Sequence, residues 1–481
     1  MDKANSCVNE SSHASQLKSE NRSTPDPPTT TTSSTSRFTS SRKFAKKWLF
    51  SILCFLSIVT FFVLLTAVIV WSSPSQSSDS HPSHNESLVS NTTTTVFFPT
   101  TTTPTNEEAR ELIFVQILFR HGARAPGHGY SNKSFKSHFP RGKGQLTDQG
   151  FNHTHMLGKF LRRRYVETGF LDARMKPAEM YWRSRDKPRC IQSGLAVGAA
   201  MFQSETLKHV QVPIFTSEKE LLLRRAFKCP KEKSLLKKMC PKVYKRNRSK
   251  KIEDTEIYDC IGKHEFFNKH NFSNAEPYIN EYENGLPVPD VVRENIEVIH
   301  SEYMKVTNFR HGIGEYYDER RVALRYGLLI STLQYNLKKA WSEHTKRKQT
   351  HKLKVYSSQD WLMGGVLQSF GVLQHVLANG PKRDPGFNAM VVMELWKVDG
   401  KPVVKFYHKP EEVTLENHKM NDLTSVVPNC SASDCPLVKF TSCCDKHMMS
   451  EEILDWCKIP KNDRKHFTRE ELTEYLNSME E

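Results

Sequence analysis

Charged side chains lie at or near the ends of three apolar segments of the chain. Arg120, His121 and Arg124 come directly after "IFVQILF". Arg183 lies in "MYWRS", and Asp360 follows shortly after "KVYSS". Short apolar runs of this kind are typical of buried strands. In an α/β sheet, ligands bind at the carboxyl ends of the strands, so we expect these side chains to meet in one crevice.

These residue types fit phosphoryl transfer. The guanidinium groups of Arg120, Arg124 and Arg183 can each match two phosphate oxygens and offset the charge that develops during transfer. Positive neighbours favour the neutral form of an imidazole, so His121 is predicted to attack phosphorus as a nucleophile. Asp360 is predicted to protonate the departing oxygen. Such a site needs no metal and no cofactor.

Each of these residues also has a structural explanation. A single histidine after a strand is more often a hydrogen-bonded structural residue, and a single arginine is more often a surface or salt-bridge residue. The combination of an imidazole, a carboxylate and three arginines at strand ends is what favours a catalytic site.

The segments from residue 111 onward predict an α/β domain. Apolar strands alternate with helical segments, of which the clearest are 147–169, 190–202 and 321–344. A hairpin is predicted over 389–408, with its turn at Asp399–Gly400. This alternation favours a mostly parallel sheet covered by helices on both faces. The charged stretch from about 205 to 310 lacks the alternation and is predicted to be a smaller helical cap.

From about Glu111 to Cys457, the chain resembles the histidine acid phosphatase family. "RHGARAP" fits the R-H-G-x-R-x-P signature of that family at every fixed position. "GQLTDQGFNHTHMLGKFLRRRY" is similar to the segment that follows the signature in the family. "YWRSRDKPR" resembles the strand with the third phosphate-binding arginine, and "MELW" resembles the family's Glu-Leu hairpin.

The resemblance implies a two-step hydrolysis on an α/β sheet with a helical cap. His121 would form a phosphohistidine by in-line attack, while Arg120, Arg124 and Arg183 bind the phosphate. Asp360 would act as the general acid and would then activate the water that releases phosphate.

Two positions depart from the family. Gln359 stands where the family has a phosphate-binding histidine, and a glutamine donates hydrogen bonds but never carries a positive charge. Losing a charge-assisted contact weakens transition-state stabilisation by about 1.5 to 3 kcal/mol, which predicts a slower enzyme and not an inactive one. Arg185 replaces a small hydroxyl residue, and we expect it to pair with Asp186 or to reach toward the cap.

The N-terminal part of the chain predicts a membrane anchor. Trp48 to Trp71 carries no charge and would extend about 36 Å as a helix, enough to cross a bilayer. Residues 1–47 are predicted to be a disordered tail, and their basic end, "SRKFAKK", places them in the cytosol. Because this long tail precedes the span, a cleaved signal peptide is disfavoured. The Ser/Thr/Pro-rich segment 72–110 is predicted to be a lumenal stalk, which makes this a type II membrane protein.

The formal net charge of +16 restricts the classes of partner. A basic surface can attract nucleic acid, anionic membranes or anionic substrates. A lumenal or extracellular location, whether lysosome, Golgi or cell surface, excludes nucleic acid. The predicted partners are therefore a phosphate monoester substrate and the membrane, and a homodimer is left open.

Glycosylation and disulfide bonds are expected on the lumenal side. Seven N-x-S/T triplets start at Asn85, Asn91, Asn132, Asn152, Asn247, Asn271 and Asn429. By resemblance to the family, Cys229 would pair with Cys457, and Cys430 with Cys435. Cys240 with Cys260 is a hypothesis, Cys443 and Cys444 are not expected to bond to each other, and Cys190 is predicted to be a buried thiol. The spacing in "CCDKH" fits no standard zinc site, so no metal is predicted.

The sequence thus predicts a membrane-anchored acid phosphatase that hydrolyses phosphate monoesters. One alternative is an inert relative that retains a phosphate-binding pocket and serves as a binding module. Another is a secretory-pathway phosphatase that acts on a phosphorylated glycan. The presence of both His121 and Asp360 favours an enzyme over the binding module.

Overall fold

A mixed sheet of eight strands forms the centre of the protein in the computed structural model. Its strands are β1 (Arg110–Arg120), β2 (Met180–Ser184), β3 (Ile214–Phe215), β4 (Leu353–Ser358), β5 (Met390–Val398), β6 (Lys401–Lys409), β7 (Asn421–Asp422) and β8 (Cys435–Pro436). The strand order is β3-β2-β4-β1-β5-β6-β7, and β8 pairs with β6.

The structure describes residues 110–217, 220–224, 228–246, 252–348, 351–380, 385–410, 419–461 and 464. All of them belong to one unit, residues 101–481. The predicted tail and span lie outside the described residues, as does the predicted stalk apart from Arg110. Of the helices that the structure describes, none is long and apolar enough to cross a bilayer.

The sheet is mixed, which corrects the prediction of a mostly parallel one. β1, β2, β3 and β4 run parallel to their neighbours in this group, but β5, β6, β7 and β8 add antiparallel pairs. The reason is local, because a two-residue turn joins β5 to β6 and a short turn can only connect antiparallel strands. Asp399 and Gly400 form this turn with φ of 48° and 78°, the left-handed conformation that such hairpins require.

Three strands end together at one edge of the sheet. β4 lies between β2 and β1, and all three are parallel. The register pairs Ser184 with Ser357 and Arg120 with Ser358, so the carboxyl ends of the three strands are level. This alignment brings together residues that are more than 200 positions apart in the chain.

Helices cover both faces of the sheet. They are α1 (Asp148–Leu161), α2 (Pro188–Phe202), α3 (Pro230–Met239), α4 (Pro241–Arg246), α5 (Asp254–Ile261), α6 (Phe266–Lys269), α7 (Ala275–Glu283), α8 (Asp290–Glu294), α9 (Ile296–His311), α10 (Glu319–Thr345), α11 (Asp360–Ser369), α12 (Leu373–Asn379), α13 (Leu437–Ser442) and α14 (Glu451–Trp456).

Alternation along β1 divides the core between the two faces. Phe114 and Leu118 belong to a cluster that includes residues of α10 and α11. Val115, Ile117 and Phe119 belong to a second cluster, which includes residues of α1 and α2. Successive side chains of a strand point to opposite faces, so a continuous apolar run such as β1 serves both layers.

Helices α3 to α9 follow β3 and have an apolar cluster of their own. It combines aliphatic with aromatic side chains, and the rings of Tyr258 and Phe272 are stacked 3.8 Å apart between centroids. Disulfide bonds join Cys229 to Cys457, Cys240 to Cys260 and Cys430 to Cys435, the three pairings that were expected. Cys229 directly precedes α3, so the first of these bonds connects the start of this helical region to the segment after α14.

Two further cysteines differ from expectation. Cys443 and Cys444 are bonded to each other, which corrects the prediction that they would not be. The cysteines on either side in sequence, Cys435 and Cys457, are already bonded to Cys430 and Cys229, which leaves the adjacent pair to each other. Cys190 is a buried free thiol, as predicted, and burial raises its pKa to about 11, so it stays protonated.

Candidate active site

The loop after β1 is held very close to α1. An added Cβ on Gly122 would lie 2.4 Å from Thr154 Oγ1, and one on Gly150 would lie 2.0 Å from the carbonyl oxygen of Ala123. Neither position has room for a side chain larger than hydrogen. The two glycines therefore allow the loop that follows His121 to pack directly against α1. One lies in "RHGAR" and the other in the following "LTDQG".

His121 is almost completely buried and its tautomer is fixed by two contacts. Its Nδ1 lies 2.8 Å from the carbonyl oxygen of Gly122, which can only accept a hydrogen bond, so Nδ1 carries the proton. Arg189 Nε donates to His121 Nε2 at 3.0 Å. Nε2 therefore presents a lone pair, which is the form of imidazole that can act as a nucleophile.

The surroundings of His121 keep its imidazole neutral. Burial lowers its pKa well below 6.5, and the positive charges of Arg189, Arg120 and Arg124 lower it further. Protonation would remove the lone pair on Nε2. The lowered pKa thus extends the nucleophilic form into acidic solution.

Arg120 and Asp360 form an ion pair beside His121. Arg120 Nη2 lies 3.0 Å from Asp360 Oδ2, and Arg120 Nη1 donates to the carbonyl oxygen of Pro385. The guanidinium of Arg120 also lies 4.1 Å from the ring centroid of Phe387. Asp360 is the first residue of α11 and accepts a hydrogen bond from the backbone N–H of Trp361. Burial disfavours its charged form, but Arg120 and this N–H outweigh burial and lower its pKa.

Arg124 is anchored by helix α7. Its Nη1 lies 2.5 Å from Glu276 Oε1, and the same carboxylate accepts hydrogen bonds from the backbone N–H of Gly127. Asn284, directly after α7, donates to the carbonyl oxygen of Arg124 and accepts from Thr147. The loop that carries Arg124 is therefore fixed to both ends of one helix, by Glu276 at its start and by Asn284 directly after its last residue.

Arg183 does not lie against His121. Its Nη2 pairs with Glu220 at 3.0 Å, and its Nη1 donates to the hydroxyl of Tyr181 at 3.0 Å. The Arg183 and Glu220 side chains are only 5% and 2% exposed, so the pair is internal. The structure thus brings together four of the predicted phosphate-site residues, Arg120, His121, Arg124 and Asp360, but not Arg183.

Arg189 occupies the position next to His121 that was predicted for Arg183. It is the second residue of α2, after Pro188. Burial, together with the charge of Arg124, lowers its pKa to about 10, so it remains positive. In the part of the chain that the structure describes, Arg189 makes no ion pair. The last arginine of "YWRSRDKPR" was available as a signal, because Pro188 predicts a helix start that turns the chain back over the strand end.

Gln359 is buried and held by its neighbour. The indole Nε1 of Trp361 donates to Gln359 Oε1 at 2.9 Å. Since the side-chain oxygen is occupied, the amide nitrogen points the other way and is the group left to donate to a ligand. Gln359 directly precedes Asp360, which places this donor at the end of β4, beside the ion pair.

Arg185 neither pairs with Asp186 nor forms an ion pair with any other described residue. Its guanidinium carbon lies 5.3 Å from the ring centroid of Trp361. Among the described residues, no group of three or more His, Cys, Asp or Glu side chains is arranged to hold a metal ion.

Comparison with known proteins assigns the family. Residues 111–409 match the model of the histidine phosphatase superfamily (branch 2). Putative acid phosphatase 1 of Caenorhabditis elegans is 32% identical over 71% of this chain and 81% of its own length. Bovine prostatic acid phosphatase is 28% identical over 69% of this chain and 84% of its own. Among solved structures, the apo form of Hafnia alvei phytase aligns with 73% of this chain and 99% of its own, at 16% identity and a TM-score of 0.47.

The chain belongs to the histidine acid phosphatase family, within branch 2 of the histidine phosphatase superfamily. It is an enzyme of the phosphoric monoester hydrolase class.

Proposed function

We propose that this protein hydrolyses phosphate monoesters through a phosphohistidine on His121. The observation that carries the proposal is the unprotonated Nε2 of His121, surrounded by guanidinium groups. A neutral imidazole whose Nε2 lone pair faces Arg189, with Arg120 and Arg124 also close enough to act on it, is suited to attack a phosphate that these charges hold.

Arg120, Arg124, Arg189 and the amide nitrogen of Gln359 form the phosphate-binding groups in this proposal. Arg189 replaces the predicted Arg183. Asp360 and Glu276 offset two of the three positive charges, whereas Arg189 pairs with no carboxylate among the residues that the structure describes. The hydrogen bond from Arg189 to His121 marks the approach to Nε2, and a bound phosphate would take over that donor.

The first step forms a bond between His121 Nε2 and phosphorus while the bond from phosphorus to the leaving oxygen breaks. Asp360 gives a proton to that oxygen. The lowered pKa means that Asp360 is ionised in the free enzyme, so its proton must arrive with the substrate. A monoester that carries one proton on its phosphate supplies it, and the phosphate charge beside Asp360 favours the protonated carboxyl.

The second step returns the enzyme to its initial state. Asp360, now ionised, takes a proton from water as the water oxygen attacks phosphorus. The bond between phosphorus and Nε2 breaks, and inorganic phosphate leaves together with the proton that Asp360 took from water, so Asp360 is ionised again. Each proton taken up by Asp360 is thereby accounted for, and no other reactant is required.

Membrane anchoring and lumenal exposure belong to the proposal as well. The uncharged segment from Trp48 to Trp71 supports an anchor, with the domain that follows it on the lumenal side. Asn132, Asn152, Asn271 and Asn429 are exposed, as glycan attachment requires, and the disulfide bonds suit an oxidising compartment. Relatives named prostatic and lysosomal acid phosphatase agree with this placement.

The test measures phosphate release from an aryl phosphate at pH 4 to 8, with the full chain in detergent. The His121→Ala variant is assayed under the same conditions. We expect activity that His121→Ala abolishes, and a phosphorylated protein that is labile to acid and stable to base when labelled substrate is quenched early. An active His121→Ala variant would refute the phosphohistidine route. A parent protein without activity would favour the inert binding module.

A further inference from the structure

Arg185 is held in place by its backbone at the mouth of the site. Its N–H donates to the carbonyl oxygen of Ser357 at the end of β4. Its own carbonyl oxygen accepts hydrogen bonds from Ser184 Oγ and from the N–H of Lys187. The position of the side chain is therefore set by the edge of the sheet and not by a free loop.

The guanidinium of Arg185 has unused hydrogen-bond donors. It is partly buried and lies over the ring of Trp361, yet its side chain makes no hydrogen bond and no ion pair with the described residues. Glu220 is near enough to act on its charge, but that carboxylate is already bonded to Arg183 and to the backbone N–H groups of Leu222 and Leu223. An arginine has five N–H donors, and contact with an aromatic ring uses none of them.

A second arginine stands near the first. Arg224 is exposed and makes no hydrogen bond or ion pair with the described residues, and its charge acts unfavourably on Arg185. Two like charges without a carboxylate between them favour an anion. Such a pair differs from Arg120, Arg124 and Arg183, each of which has a carboxylate partner in the protein.

The place of Arg185 relative to the reacting groups indicates what that anion belongs to. Trp361 is covalently next to Asp360, the residue assigned to the leaving oxygen. Asp360 is also close enough to act on the charge of Arg185. Arg185 thus lies beside the residue that would protonate the leaving oxygen, and it makes none of the contacts that hold Arg120, Arg124 and Arg189 around His121.

We infer that Arg185 forms a subsite for a second anionic group on the substrate, carried by the leaving group, and that the positive charge of Arg224 strengthens it. The inference rests on the proposed function, because it places the scissile phosphate at His121. The preferred substrate class is then a phosphate monoester whose alcohol bears a further phosphate, sulfate or carboxylate. Guanidinium groups bind all three, and phosphate and sulfate offer the most acceptor oxygens.

A matched substrate series tests the subsite with the full-length protein. 3-Hydroxypropyl phosphate is compared with propane-1,3-diyl bisphosphate, 3-sulfooxypropyl phosphate and 3-carboxypropyl phosphate, and the bisphosphates are repeated with two to five carbons. We expect kcat/KM for the best bisphosphate to exceed that of the hydroxyl compound by about tenfold or more, mainly through KM, since a uniform binding contact acts there. The kcat/KM values for the sulfate and carboxylate compounds show which second anion the subsite prefers.

Charge-removing variants assign the preference to the two arginines. Arg185→Gln and Arg224→Gln are each expected to lower the ratio of bisphosphate to hydroxyl compound by about tenfold, the loss of one charge-assisted contact. Arg174→Gln is the control, because this exposed arginine pairs with Asp172 away from the site, and its ratio should match that of the parent. A ratio that stays constant in the first two variants, or falls equally in the third, would overturn the inference.

A binding measurement tests the subsite independently of whether the protein hydrolyses phosphate monoesters. Propane-1,3-bisphosphonate and propylphosphonate cannot be hydrolysed, so their dissociation constants by calorimetry do not depend on turnover. Tighter binding of the bisphosphonate that Arg185→Gln removes supports the subsite even in an inactive protein. Hydrolysis of monophosphates without any preference for a second anion would leave the proposed function standing and refute the subsite.

Discussion

At the scale of single residues, the first and last of the three arginines in "YWRSRDKPR" have different roles. Arg183 points along the face of the sheet, on the side of Tyr181, and closes an internal ion pair with Glu220. Arg189 leaves the first turn of α2 and reaches His121. A strand end predicts where a site lies, but the alternation of side chains along β2 sends Arg183 away from it.

We predict that substitution of Arg189 impairs catalysis, whereas substitution of Arg183 impairs stability. Arg189→Gln should lower kcat/KM by about 100- to 1,000-fold, the usual cost of removing a donor to transition-state charge, with the melting temperature little changed. Arg183→Gln should lower the free energy of unfolding by about 3 to 5 kcal/mol, because Glu220 is left buried and unpaired. Steady-state kinetics and thermal unfolding of both variants measure the two effects. If Arg183→Gln instead lowered kcat/KM and Arg189→Gln instead lowered stability, Arg183 would be the arginine that binds phosphate.

The protonation states of His121 and the substrate predict the pH profile. His121 stays neutral well below pH 6.5 because its pKa is lowered, so its protonation limits the rate only in strong acid. The phosphate of a monoester loses its last proton near pH 6, and Asp360 depends on that proton. We expect kcat/KM to be flat in moderate acid and to fall about tenfold per pH unit above about pH 6. A rate that rises from pH 5 to 7 would contradict this assignment.

At the scale of elements, helix α7 positions the loop that carries Arg124. Glu276 joins Arg124 to the N–H of Gly127, and Asn280 of the same helix donates to Glu276. Nothing in the sequence near Glu276 predicted this, because the cap is the part of the chain with the least recognisable pattern. Only the folded structure shows which of the many acidic residues of the cap faces the site.

Glu276→Gln should therefore impair an enzyme whose reacting groups are all present. We expect a fall of about tenfold or more in kcat/KM, since a charge-assisted contact to Arg124 becomes a neutral one. We expect kcat to fall and KM to rise, because a displaced Arg124 would bind both the substrate and the transition state less well. Glu294→Gln on the exposed side of α8 is the matched control and should retain parental kinetics. A change confined to thermal stability would mean that Glu276 acts only in folding.

The elements of the sheet were largely predictable and their pairing was not. β1, β2, β4 and the hairpin of β5 and β6 correspond to the predicted strands, because long apolar runs and an Asp-Gly turn are local signals. The mixed order depends on which edge of β1 receives β5, a choice made by contacts between distant segments. The predicted helix 147–169 ends earlier, at Leu161, where the chain passes into a single π-helical turn.

At the scale of the whole molecule, buried histidines link folding to pH. His408 on β6 is 1% exposed, and burial lowers its pKa to about 4. The unfolded chain binds a proton at this residue below about pH 6.5, whereas the folded protein does not until about pH 4. Between these values the unfolded state holds more protons, so stability rises with pH and is lost as the solution becomes acidic.

We predict that His408→Gln flattens this dependence. In the parent, His408 should contribute a loss of about 3 kcal/mol in the free energy of unfolding from pH 6.5 to pH 4, at 1.36 kcal/mol per pKa unit. The variant lacks a titrating group at that position and should lose correspondingly less over the same range. Denaturant unfolding at pH 4, 5, 6 and 7 measures the difference. Parallel curves for the two proteins would show that His408 is protonated in the folded state.

The neutral amide of Gln359 also affects how the reaction ends. The groups that bind the phosphate of the substrate hold inorganic phosphate equally well, and a fully cationic pocket releases its product slowly. Trp361 fixes Gln359 as a donor that never gains charge, even in acid. We therefore expect Gln359→His to speed the formation of the phosphoenzyme and, below about pH 6.5, to make inorganic phosphate a stronger inhibitor. On this expectation, glutamine at position 359 slows formation of the phosphoenzyme and speeds release of inorganic phosphate.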